Sequence, residues 1–242
     1  MDKVRFGVVG TNNITDWVIE GARQDSRFEL TAVCSRTQEK ADEFAAKHNI
    51  PHTFTSLEEM AKSPLIDAVY IATPNYVHAE QSILCMNHGK HVLCETPMVL
   101  SGAEAEELYR IAEEQGVVLL EANKTAYCPA FNHLVTLIKS GLIGDVVGID
   151  ASESKLWGEE TLKRELDPAL AGGSLYEMGS YPLLPILKLL GTNHEDINIY
   201  SRRNGNGVDV YTRGIVRYHN AIASFQLGLG VKTEGNLIIS GT

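Results

Sequence analysis

GVVGTNNIT, residues 7–15, closes one local pattern and opens another. The run it ends, VRFGVVG (4–10), is apolar and rich in valine, as a buried strand requires. The run it begins, ITDWVIEGARQ (14–24), spaces its apolar residues at helical intervals. A glycine-bearing turn between a strand and a helix is the context of a dinucleotide loop. Gly10 permits the tight turn, and the helix N-terminus brings positive dipole to a pyrophosphate lying over Thr11, Asn12, Asn13 and Ile14. The fingerprint is incomplete, because Asn12 stands at the second glycine and Thr15 at the last small residue. Alone, the stretch reads equally as a nucleotide loop or as a plain strand–helix turn.

The same alternation continues through the first half of the chain. FELTAVCS (28–35), HTFTS (52–56), IDAVYIAT (66–73), HVLCE (91–95) and VVLLEA (117–122) read as strands. Helical patterns separate them at 37–48, 57–62, 77–89 and 101–116, the last with Ser101 and Glu104 at capping-box spacing. Strands alternating with helices predict an α/β fold with a doubly wound parallel sheet over residues 1–122. The texture changes at 123. A helix over 129–140 and a strand over 146–154 are followed by a Gly-rich stretch at 170–191 that enters another helix. INIYSRR, VDVYTRGIVRYH, AIASFQLGLGV and LIISGT then follow as consecutive strands without helices between them. Residues 123–242 therefore read as a second, α+β domain on a largely antiparallel open sheet.

Composition excludes several classes of function. The formal net charge of −10 over 242 residues leaves no basic footprint for nucleic acid and no polybasic membrane patch. No apolar run approaches the roughly 18 residues of a membrane helix. The N-terminus lacks a signal-peptide pattern. Cys34, Cys85, Cys94 and Cys128 form no C-x-x-C pair and read as reduced thiols, which points to the cytoplasm. No cluster of His, Cys, Asp or Glu reads as a metal site.

Four further segments sit where the ligands of an open α/β sheet bind, at the carboxyl ends of strands. VCSRT (33–37) has no acid to grip a ribose 2′-hydroxyl. Ser35 and Arg36 suit a 2′-phosphate instead, which leans the cofactor toward NADP over NAD. IATPNYVH (71–78) contributes Thr73, Pro74, Asn75 and His78, the last as a residue that orients the cofactor loop. KHVLCETPM (90–98) contributes Glu95 and Thr96, and LLEANKTAY (119–127) contributes Lys124. Any one of these alone reads as an ordinary strand-ending turn.

Together, ATPNYVH, GKHVLCETPM, FNHLVTLIKSGLIGDVVGI and GGSLYEMGSY resemble the glucose–fructose oxidoreductase, inositol dehydrogenase and MocA-like oxidoreductases, over residues 4–242. The resemblance implies an N-terminal Rossmann domain and a C-terminal α/β domain whose open sheet often pairs subunits. It also implies hydride transfer between NAD(P) and a carbinol carbon of a small sugar, cyclitol or diol. Thr96 stands where family members usually carry a lysine, and a threonine hydroxyl brings no positive charge. Glu177 replaces the usual Asp of the later glycine motif, and Tyr181 keeps the tyrosine or histidine found there. Family members commonly run further, so the second domain reads as shortened.

The catalytic set this implies is Tyr181, Lys124, Glu177 and Thr96. Tyr181 is a proton donor that needs a nearby cation, and Lys124 is a candidate replacement for the missing charge whose alternative is a surface lysine after a strand. The leading reading is an NAD(P)-dependent oxidoreductase, a homo-oligomer. The alternative is a cofactor-binding protein without catalysis, a redox sensor or partner subunit. Hydride-recycling glycoside cleavage exists in the family, and nothing here selects it.

Overall fold

The computed structural model describes residues 3–242. They divide into two compact units, the first ending at Ala122 and the second running Asn123–Thr242.

The first unit alternates β1 (Val4–Val9), α1 (Asn13–Ala22), β2 (Phe28–Cys34), α2 (Gln38–His48), β3 (His52–Phe54) and α3 (Leu57–Lys62). It continues with β4 (Ala68–Ile71), α4 (His78–Asn87), β5 (His91–Cys94), α5 (Gly102–Gln115) and β6 (Leu119–Glu121). The strands are all parallel, in the order β3-β2-β1-β4-β5-β6. Strand alternation divides the core into two layers. Val8, Val33 and Tyr70 pack with Ile19 of α1 and Phe44 of α2, while Val9, Ala32, Val69 and Ile71 pack with Met60, Met86 and Leu108 of α3, α4 and α5. Burying each such side chain stabilises by roughly 1.5–3 kcal/mol. Because both faces are covered, these strands read as apolar runs. Strand order reverses between β1 and β4, and the loops leaving those two strands flank the crevice where such sheets bind ligands.

Caps follow the sequence closely, with one difference. Ser101 Oγ accepts from Glu104 N, as its spacing predicts, but the Glu104 carboxylate accepts from Leu100 N rather than from the cap residue.

The second unit contains α6 (Lys124–Tyr127), α7 (Pro129–Lys139), β7 (Val146–Lys155), α8 (Ser174–Met178), α9 (Ser180–Leu190), β8 (Asp196–Arg203), β9 (Asp209–Arg217), β10 (Ile222–Leu229) and β11 (Leu237–Gly241). The sheet order is β11-β7-β10-β9-β8, antiparallel except for the parallel β10–β7 pair. One face carries Ile149, Val216, Ala223, Phe225 and Leu227, packed with Met178 and Ile186 of α8 and α9. The other face exposes Tyr200, Ile215, Ile222 and Ile238.

The single helix predicted within 170–191 is two. Helix α8 stops at Gly179, where a Cβ would lie 2.4 Å from Leu175 O, and α9 starts at once. Pro182 and Pro185 have no N–H, so the carbonyls of Met178 and Tyr181 lack the donor four residues on that an unbroken helix supplies.

Candidate functional site: cofactor loops and substrate cavity

In the first unit, Gly10 has φ +100, and a Cβ there would lie 2.2 Å from Ala72 O. Only glycine holds β1 and β4 this close at the crevice. Asn12 does not play the part of an absent glycine. It is extended (φ −111, ψ 174) and caps α1, its Oδ1 accepting from Ile14 N and Thr15 N while its Nδ2 donates to Ala72 O at 2.7 Å. Thr15 is fully buried, and its hydroxyl donates to Gly10 O. The loop is thereby pinned by side chains where other such loops rely on glycine. The amides of Thr11, Asn12 and Asn13 make no hydrogen bond to protein among the described residues, and they lie at the N-terminus of a ten-residue helix. That fits a pyrophosphate.

Ser35 follows β2, its amide bonded to Phe54 O, and Arg36 is exposed with no ion pair among the described residues. After β4, Thr73 Oγ1 donates to Gln81, Pro74 leads a short 3-10 turn (Asn75–Val77), and Asn75 is buried. His78 is buried, with Nδ1 2.8 Å from Pro97 O and Nε2 2.7 Å from Thr73 O, so it ties the loop after β4 to the loop after β5. Glu95 accepts from Tyr70 Oη at 2.6 Å and from Thr96 N, which commits its carboxylate to holding the strand end. Thr96 is half-buried and precedes a cis peptide to Pro97.

The buried thiols of this unit are unreactive by environment. Burial pushes Cys34 up to about 11 and Cys85 and Cys94 up to about 12, whereas Cys128 in the second unit is exposed.

In the second unit a cavity of about 410 Å³ opens between the sheet and its helices. Lys124 and Tyr181 line it together, with Lys124 Nζ 5.4 Å from the centroid of the Tyr181 ring. Lys124 lies just past β6, where the sequence reading puts it, and there it begins a short helix of the second unit and stacks over Tyr181. Phe131, Met178, Pro182 and Pro185 form an apolar wall, and Glu153 and Lys155 of β7 stand on the sheet side.

Glu177 is not brought to this cavity. It is buried, and its two carboxylate oxygens take bonds of 3.0 and 2.8 Å from Arg164, which also reaches Glu165. Burial alone would lower the Arg164 pKa, but Glu177 and Glu165 outweigh it, so the guanidinium stays charged. This ion pair holds α8, the helix directly before α9, which carries Tyr181. Sequence reasoning missed Arg164. The available signal was chemical, since a carboxylate buried beside an apolar core demands a cation. Gln81, Glu153 and Lys155 were missed as well, each looking like an ordinary helix or strand residue.

Residues 4–123 match the profile of the GFO/IDH/MocA oxidoreductase family, NAD-binding Rossmann fold, and residues 131–242 match the GFO/IDH/MocA C-terminal domain. The scyllo-inositol 2-dehydrogenase (NADP(+)) IolU of Bacillus subtilis is 43% identical over 253 aligned positions, covering 99% of this chain and 76% of its own. The trans-1,2-dihydrobenzene-1,2-diol dehydrogenase of Bos taurus is 33% identical over 99% of this chain and 72% of its own. In fold, the chain resembles a 3-ketoreductase from Actinomadura kijaniata crystallised with NADP and TDP-benzene. The TM-score is 0.88 at 24% identity, over 100% of this chain and 74% of that one.

Proposed function

The chain belongs to the GFO/IDH/MocA oxidoreductases, and from that premise we propose that it oxidises or reduces a cyclitol or diol with a nicotinamide cofactor, NADP in preference to NAD. The observation that carries the reading is the pairing of Lys124 with Tyr181 in one cavity, because it supplies a proton-bearing hydroxyl and a cation in a chain that has Thr96 where the family lysine usually stands.

The first unit binds. The amides of Thr11, Asn12 and Asn13 hold the pyrophosphate, and Ser35 and Arg36 hold the 2′-phosphate. Thr73, Pro74 and Asn75 form the rim of the nicotinamide end, His78 fixes that rim, and Glu95 fixes the loop that bears Thr96. When bound, the nicotinamide supplies or accepts the hydride. Tyr181 moves the proton at its Oη: as the phenolate it takes the proton from the substrate hydroxyl during oxidation, and as the phenol it returns it during reduction. The Lys124 ammonium stabilises the negative charge that develops on the substrate oxygen. Glu177, held by Arg164, is a positioning residue. The exposed face of the second sheet pairs copies of the chain into a homo-oligomer.

The test is kinetic. Tyr181→Phe is expected to lower kcat by roughly 10²–10³ and Lys124→Met by roughly 10–10², with NADPH affinity unchanged in both. Thr96 favours a second reading, cofactor binding without turnover. Tight NADPH binding with no turnover across cyclitols and diols, followed by a large gain in Thr96→Lys, would establish that reading in place of the first.

A further inference from the structure

Strand β7 places its odd-numbered residues toward the helices. Ile149 and Ala151 are buried there, and Glu153 and Lys155 pair in register with Leu227 and Leu229, which are buried on the same face. The even-numbered residues turn away and are satisfied. Ser152 bonds Asn236, and Ser154 bonds Thr233. The sheet therefore aims two charged side chains at the side where the other strand positions are apolar.

Neither charge is spent among the described residues. Among the described residues Glu153 makes no hydrogen bond or ion pair, and Lys155 Nζ has only the Trp157 ring, 5.2 Å from its centroid. Both are half-buried in the wall of the cavity that holds Lys124 and Tyr181. Charged groups withdrawn from water without partners are costly, and the cost is met when a ligand supplies the missing hydrogen bonds. A carboxylate is acceptor-only and takes two hydroxyl donors, while an ammonium donates to hydroxyl oxygens. Facing them, Phe131, Met178, Pro182 and Pro185 offer a surface without side-chain donors. A ring with hydroxyls around its rim and C–H groups on its faces matches both walls.

We propose that Glu153 and Lys155 are specificity-determining residues that hold the non-reacting hydroxyls of a polyhydroxylated ring. The chain then selects a cyclitol over a diol on an otherwise hydrocarbon ring. This rests on the proposed dehydrogenase function and deepens it. A site built to bond hydroxyls rejects an analogue that lacks them, because its polar groups are then left bare.

The experiment compares scyllo-inositol with trans-1,2-cyclohexanediol, which keeps a reacting hydroxyl and one neighbour but lacks the rest of the rim. Wild-type protein with NADP is expected to prefer scyllo-inositol in kcat/KM. Glu153→Gln and Lys155→Met should each lower kcat/KM for the cyclitol on the order of 10–100-fold. Turnover of the cyclohexanediol should change by less than about threefold, and NADPH binding should stay constant as the check on folding. Equal losses on both substrates, or a wild-type preference for the cyclohexanediol, would overturn the assignment. If neither compound is turned over, the dehydrogenase reading itself fails. Calorimetric titration of the NADPH-loaded protein with scyllo-inositol then decides the inference, which falls if the two variants bind as wild type does.

Discussion

The two sheets solve the same packing problem in opposite ways. The first is parallel and has helices on both faces, so its central strands are largely core and little remains to vary there except the loops at the strand ends. The second has helices on one face only. Its inner positions divide between core and cavity, and its outer positions show isoleucine, tyrosine and charge to the exterior. Backbone shape governs the first unit's site, with Gly10 and free amides at a helix start. Side-chain chemistry governs the second unit's, with Tyr181, Lys124, Glu153 and Lys155 on one cavity wall or another.

The sharpest way to break the contrast is to put a side chain into the backbone-built site. Gly10→Val meets both a positive φ and a carbonyl 2.2 Å away. It is expected to cost about 3 kcal/mol or more and to abolish NADPH binding, read by urea unfolding and by cofactor fluorescence. No substitution on the outer face of the second sheet should approach that effect on folding. There, Ile222→Asp is expected to leave the monomer folded and to weaken self-association by ~2 kcal/mol or more, read by light scattering across a dilution series. A chain that is monomeric at all concentrations before substitution would remove the pairing role from that face.

The smallest effect belongs to the edge of the first unit, where Arg5 binds Asp67 and holds its carboxyl down at about 2, chiefly through their hydrogen bond. A carboxyl whose folded value is depressed contributes stability above its unfolded value of about 3.9, and that contribution is lost as pH falls through the folded value. With the pair about a third exposed, solvent screens it to ~1 kcal/mol. Wild type should therefore exceed Asp67→Asn by that amount in urea unfolding at pH 7, and the two should converge between about pH 4 and pH 2.

The same contrast explains what could be read from the sequence. Alternating apolar runs and amphipathic helices gave away the parallel sheet, since its central strands are buried on both sides. The strand-end motifs were legible because turns after such strands are local, written in adjacent residues such as Gly10 to Asn13. The cavity was not. Lys124 was legible as a residue just past a strand, but its stacking on Tyr181 depends on a helix far along the chain. Arg164 lies in a stretch of turns whose charges follow no period, and its link to Glu177 exists only in three dimensions. Glu153 sat in a run that reads simply as strand, and Lys155 just beyond its end. Only the register with β10 shows which side they occupy.

That register also sets how this protein's substrate range can change over generations. Along β7, neighbouring side chains alternate in direction, Glu153 and Lys155 toward the helices and Ser152 and Ser154 toward Asn236 and Thr233, although Ser152 also reaches the cavity edge. Inserting or deleting a single codon within the strand would exchange the two sets at once, turning serines toward the ring and charges toward the outside. Point substitutions at 151, 153 and 155 can tune selectivity one contact at a time. Changes of length are confined to the turns that follow Lys155, where no such parity binds the chain.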